Sequence, residues 1–222
     1  MNKINNFIKS LPIILGIGSN VAIANTKECN NTASLQTANS FINLPGIKVV
    51  DQTIIQPSLA IQCGSYKAYS TLVETKKGDL DSYVIGAMKL FPIKNKPLSI
   101  RVSLDHLSLN NANKDITRAR VGMTYKNNIF NFNVDHWELL DGYNRGFTKW
   151  NISKGWAIEN KSKINASIGG SLNQDFSFNN QHYATIGFSH SLTNSVTIYG
   201  KYTHQIEPVQ SNQYIGGISF KF

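Results

Sequence analysis

The side chains that invite a chemical reading first are Arg101, Arg118, Arg120, Lys163, Lys201 and Lys221, set against Asp105 and Asp135. Arg118 and Arg120 are two apart, and Arg101 and Asp105 four apart. In an extended strand, even spacing puts side chains on one face. Cations and carboxylates gathered on an enclosed face can do one of two things. They can neutralise one another as an ion-pair network, because a buried charge without a partner is costly. Or they can leave a surplus of cations that favours anions. The two overlap, and both stay open.

Other combinations suggest catalysis and then weaken. Asp105-His106 and Asp135-His136 each place an acid beside a base, but adjacent strand residues face opposite ways, so the partners cannot cooperate. Ser189-His190-Ser191 puts a nucleophile beside a base, with no Asp, Asn or Glu clearly placed to orient the imidazole. Glu138, Asp141, His182 and His204 have no specific spacing. No metal-ligand spacing or cofactor motif is present, so neither metal nor cofactor is expected.

Alternating polarity supplies the elements that must hold these residues. Leu98, Ile100, Val102 and Leu104 alternate with Ser99, Arg101, Ser103 and Asp105; Ile164, Ala166, Ile168, Gly170 and Leu172 alternate with Lys163, Asn165, Ser167, Gly169 and Ser171. The same pattern predicts ten strands, near 65–75, 80–92, 97–109, 116–126, 129–140, 146–158, 162–174, 182–192, 195–206 and 213–222. One face of each is nearly free of charge over about ten residues, the span of a tilted transmembrane strand. The predicted fold is therefore all-β: a transmembrane, antiparallel, up-and-down β-barrel of about ten strands. Twelve strands follow if 41–50 and 53–62 join, though Pro45 and Pro57 argue against it. Eight follow if two segments merge or leave the membrane. Lys154 interrupts an apolar face at Trp150, Ile152 and Trp156, which a β-bulge would relieve. On this frame His106 and His136 face outward. Trp137, Tyr143, Phe147 and Trp150, together with Tyr183, Tyr199 and Tyr202, read as aromatic girdles at the membrane interfaces.

The N-terminus agrees. Lys3 and Lys9 precede an apolar run, Leu11 to Ile17, and Ala22-Ile23-Ala24 offers a cleavage site. Residues 1–24 are expected to be a secretory signal peptide. Its removal lowers the formal charge from +9 by two, to +7. Cys29 and Cys63 form an even pair, expected as a disulfide in an exported protein. It would close a loop of about 35 residues and stabilise by roughly 4 kcal/mol on the chain-entropy description. Residues 25–64 are expected as a periplasmic segment or plug, tied to a barrel at 65–222.

The last ten residues, Gln213-Tyr-Ile-Gly-Gly-Ile-Ser-Phe-Lys-Phe222, carry the one specific motif. Tyr214, Ile218, Phe220 and Phe222 share a face and end on an aromatic. This resembles the C-terminal assembly-signal strand of small Gram-negative outer-membrane β-barrel proteins, the group of opacity-type, OmpA-type and small porin barrels. The resemblance implies the bacterial outer membrane, with lipid, lipopolysaccharide and the barrel assembly machinery as partners and no nucleic acid. It also implies short periplasmic turns. Counting back from the last strand, every predicted tight turn lands on that side.

The expected function is a narrow pore or structural barrel. Arg101, Asp105, Arg118, Arg120, Asp135, Lys163 and Lys201 would form a lumen charge network favouring small anionic solutes. The alternatives are a membrane-embedded hydrolase acting on lipid or peptide, centred on Ser191 and His190, and a surface interaction protein.

Overall fold

The computed structural model describes residues 29–39, 41–44, 47–50, 53–75, 80–109, 114–140, 146–173, 181–207 and 211–222. The proposed signal peptide and residues 110–113, 141–145, 174–180 and 208–210 lie outside the described residues. The strands in chain order are β1 (Cys29–Ala38), β2 (Phe41–Leu44), β3 (Ile47–Val50), β4 (Ile54–Cys63), β5 (Tyr66–Thr75), β6 (Leu80–Pro92) and β7 (Leu98–Leu109). There follow β8 (Lys114–Lys126), β9 (Asn131–Leu139), β10 (Gly146–Glu159), β11 (Ser162–Asn173), β12 (Gln181–Ser191), β13 (Val196–Glu207) and β14 (Ser211–Lys221). Each barrel strand pairs with its neighbours antiparallel, and β14 returns to β1 to close a twelve-strand barrel; β2 and β3 form a separate two-stranded sheet.

The strand count corrects the expectation of about ten in favour of twelve. The two extra strands lie in the segment expected as a plug. Thr32 to Ala38 pair with Lys221 to Ile215, so the C-terminal strand closes against β1 and not against the strand that starts at Tyr66. Of the two segments weighed as additional strands, 53–62 matches β4, whereas 41–50 holds the separate sheet. Pro57 sits in β4 without breaking closure, for a local reason. The β4–β5 ladder pairs Ile55 with Glu74 and then Ser58 with Thr71, skipping Gln56 and Pro57. The missing proline N–H falls where that ladder is interrupted.

The tight connections at 64–65, 93–97, 127–130, 160–161 and 192–195 all lie at one rim, which the C-terminus shares. Gly64 (φ 59°) and Asn95 (φ 58°) take left-handed conformations there, open to Gly and tolerated by Asn. Asn127 Oδ1 accepts from the N–H groups of Ile129 and Phe130 at 2.8 Å each, an Asx-type turn. The Cys29–Cys63 disulfide joins the start of β1 to the end of β4 at this turn rim, across a directly paired position. It staples two neighbouring barrel strands.

Large apolar side chains point outward and stay uncovered by protein: Val121 is 57% exposed, Leu104 54%, Ile168 55% and Ile186 54%. An apolar belt of this kind is covered by lipid in a membrane barrel. The inward face carries the polar groups, with two buried apolar clusters: Ala38, Ile54 and Val73 with Ile215, and Leu107, Leu109 and Ile116 with Val84 and Leu139. Lys154 stays on the outer face, its ammonium 5.8 Å from the centre of the Trp156 ring. The bulge expected to turn it inward does not occur there. Lys154 pairs with Ala166 in regular register, and the irregularity falls between Ala157 and Glu159.

Candidate functional site

The inward face of β7–β10 gathers five of the residues singled out from the sequence. Arg101 grips Asp135 through two bonds, Nε to Oδ1 at 2.6 Å and one terminal nitrogen to Oδ2 at 2.7 Å. Its other terminal nitrogen donates to Thr124 Oγ1 at 2.9 Å. Arg118 Nε donates to Asp105 Oδ1 at 2.5 Å, and these side chains are only 5% and 1% exposed. Asp105 Oδ2 also accepts from the Tyr69 hydroxyl at 3.0 Å. Two cation–carboxylate pairs thus exist, each reinforced by hydrogen bonds, which is what enclosed charges require.

Arg120 stands apart from that scheme. It donates to Ser103 Oγ at 2.8 Å and to Met88 Sδ at 3.4 Å, and no carboxylate pairs with it among the described residues. Its guanidinium carbon lies 4.5 Å from the centre of the Trp137 ring, and that of Arg118 lies 4.9 Å from it. Trp137 stacks on Phe147 at 5.9 Å with 17° between ring planes. Lys149 Nζ lies 5.4 Å from the Phe147 ring centre. Among the described residues this cluster therefore holds four cations, Arg101, Arg118, Arg120 and Lys149, two carboxylates, and a stacked aromatic pair.

Trp137 and Phe147 were expected in an interface girdle, and the structure places them inside. Alternation already carried the signal, since Trp137 is two residues from Asp135 and shares its face. Tyr183 and Tyr199 likewise lie on the inward phase, and Tyr143 lies outside the described residues. Tyr69, Met88 and Lys149 were not anticipated. Lys163 and Lys201 stand on the inward phase of β11 and β13, at exposed positions away from the β7–β10 cluster. Lys221 is on the same phase of β14 near the turn rim.

A repeated geometry lays the long polar side chains along the wall. Tyr69, Gly86 and Asp105 are consecutive partners across β5, β6 and β7. Arg101, Gly122 and Asp135 line up the same way across β7, β8 and β9. Tyr199, Gly217 and Gln36 repeat it across β13, β14 and β1, with the tyrosine hydroxyl donating to Gln36 Oε1 at 3.1 Å. In each line the outer two side chains meet over the middle glycine. A Cβ there would collide with them, at 2.6 Å from Tyr69 in the first line and 2.6 Å from the Tyr199 hydroxyl in the third. The glycines are needed for close approach across the strand.

Among the described residues the members of the catalytic alternatives are held apart. Ser191 Oγ lies 3.3 Å from Thr197 Oγ1, on the face opposite His190. His190 instead bonds Ser162 Oγ at 2.8 Å on the outer face, and no carboxylate pairs with it among the described residues. Glu138 lies 3.4 Å from His136, His182 packs against Trp150, and His204 bonds Asn212. Asp141 lies outside the described residues. His106 and His136 are both on the outer face, each bonded to a threonine across the strand, Thr117 and Thr148. Among the described residues no cluster of His, Cys, Asp and Glu could hold a metal ion.

No protein-family model matches the chain, and no curated protein matches it either. Solved structures do. The KdgM porin superposes with a TM-score of 0.62 at 8% identity, covering 87% of this chain and 99% of that one. The NanC porin gives 0.61 at 9% identity, covering 88% and 100%. The COG4313 outer membrane channel from Pseudomonas putida F1 gives 0.62 at 8% identity, covering 91% and 98%. At such identities the likeness is one of fold, and the chain has the closed-barrel fold of these porins over nearly its whole described length.

Proposed function

We propose that this protein is an integral outer-membrane channel, a narrow porin-like barrel whose basic inner wall favours anionic solutes. One observation carries the reading: in the cluster on the inward face of β7–β10, the carboxylates that accompany Arg101, Arg118, Arg120 and Lys149 among the described residues are Asp105 and Asp135. Four cations less two carboxylates leave a surplus of two positive charges. In an enclosed aqueous passage that surplus concentrates anions and repels cations. The strand–glycine–strand lines support an open passage, because they hold Tyr69, Arg101 and Tyr199 against the wall instead of across the lumen. A twelve-strand barrel is also wider than an eight-strand one, whose interior side chains can fill.

The porin fold and the outward apolar belt support an outer-membrane location. The turn rim would face the periplasm and the loop rim the exterior, in contact with lipopolysaccharide. The terminal strand, with Tyr214, Ile218, Phe220 and Phe222 on its outer face, would be read by the barrel assembly machinery. The KdgM porin has been captured with oligogalacturonate, a polyanion, and a basic lumen here suits acidic solutes of that general kind.

Single-channel recording of refolded protein in planar bilayers tests the reading. Discrete conductance steps with a reversal potential on the anion side are expected. Cation preference, or a folded barrel with no conductance, would refute it.

A further inference from the structure

Two of the four cations on the wall are satisfied by carboxylates and two are not. Arg101 and Arg118 hold Asp135 and Asp105. Among the described residues the hydrogen-bond acceptors of Arg120 are a hydroxyl and a thioether, the latter a weak one. Lys149 lies against the Phe147 ring and otherwise feels Asp135 only electrostatically, with no hydrogen bond to that carboxylate, which Arg101 already holds. A guanidinium has five N–H donors and an ammonium three, so most of their capacity is unused.

A third donor stands on the same wall. Trp137 Nε1 is buried and has no hydrogen-bond partner among the described residues. Register brings the three together: Arg120 is the direct partner of Trp137 across β8–β9, and Phe147 is its partner across β9–β10. Lys149 follows Phe147 by two residues, on the same face, and pairs with Asp135. Asp135 is already gripped by both bonds from Arg101. A buried donor without an acceptor costs about as much as a lost hydrogen bond, and such groups call for an explanation. Two cations without a carboxylate of their own and one unmatched N–H on the same wall suit an anionic acceptor, and a carboxylate or phosphate group, with several oxygens, can meet more than one of them at once.

We propose that Arg120, Lys149 and the Trp137 Nε1–H form a discrete site for one oxyanion group, the carboxylate or phosphate of a solute inside the barrel. The proposal rests on the reading of the barrel as an anion-favouring passage and sharpens it: selectivity comes from a saturable site and not only from diffuse charge.

Indole NMR on refolded protein in detergent micelles tests it. In a W150F/W156F background, Trp137 is the sole tryptophan of the three in the chain. Titration with acetate and with inorganic phosphate, each against chloride at constant ionic strength, separates a carboxylate site from a phosphate site. The expected result is a saturable shift of the Trp137 indole proton with at least one of the two. R120Q and K149Q each raise the apparent Kd about tenfold, the loss of one charge-assisted bond. K149R retains binding, and K154Q, on the outer face of β10, leaves it unchanged. If R120Q or K149Q does not fold, R120K and K149M serve in its place. The proposal fails if no saturable shift occurs, if chloride reproduces the shift, or if the Arg120 and Lys149 variants titrate like the parent. Binding in micelles needs no conduction. A barrel that binds without conducting refutes the passage alone; one that conducts anions without binding refutes the site alone.

Discussion

Asp105 shows what the inner wall demands of single residues. Its side chain is 1% exposed, and Arg118 and Tyr69 both point at it. Removing the arginine strands a buried carboxylate, which costs about 3–5 kcal/mol. Arg118→Met is therefore expected to lower the urea midpoint of the refolded barrel sharply. The double variant D105L/R118M should recover much of the loss, because it removes both charges together. Equal midpoints for R118M and D105L/R118M would show that the pair is not what holds this part of the wall. These charges were legible in the sequence because Asp105 and Arg118 fall on one phase of alternating strands. Trp137 was legible by the same rule but is an aromatic near a strand end, which composition assigns to an interface. Lys149 gave no separate signal, since a lone lysine in a strand beside a loop reads as solvated.

At the level of the strand, the recurring unit is a polar side chain meeting another from two strands away, over a glycine on the strand between. Gly122 lies under the Arg101–Asp135 pair, where a Cβ would overlap Asp135 Oδ1. Gly216, one residue from a glycine of the same kind, has nothing within 4 Å of the position a Cβ would take. Gly122→Val is expected to cost about 1–3 kcal/mol or more through overpacking and loss of the ion pair. Gly216→Val should be close to neutral. The difference is read as the denaturant midpoint of each refolded variant, and similar midpoints would contradict the geometry. Strand positions from β5 onward were legible because one face of each is nearly free of charge over about ten residues. β1 was not, because Cys29-Asn-Asn-Thr-Ala-Ser-Leu-Gln-Thr-Ala38 has one large apolar residue, Leu35, and hence almost no period-two contrast. Pro57 misled in the opposite direction. A proline inside a strand is disfavoured when its N–H is needed, and here the ladder skips it.

Closure is a property of the whole molecule. β1 is the seam, bonded to β14 on one side and β4 on the other, and the disulfide anchors its first residue. Replacing both cysteines, C29S/C63S, is expected to reduce stability by up to about 4 kcal/mol, measured as a lower urea midpoint that added reductant no longer changes. Deleting 29–38 should abolish closure. The test is loss of the heat-modifiable shift on electrophoresis, and a deletion protein that keeps the shift would mean that β4 can pair with β14 directly. Selectivity belongs to this scale as well. R120Q/K149Q removes the two unmatched cations, and its reversal potential in bilayers should move from the anion side toward neutrality. By itself the sequence determined the class of fold, the two faces of most strands and the side of the tight turns, because these depend on periodicity within ten or so residues. Tertiary structure alone decided that the barrel has twelve strands, that its seam lies at β1, and that Arg120, Trp137 and Lys149 share one patch. Those facts depend on register between strands far apart in the chain, where hydrogen bonding and closure, not local pattern, select the partner.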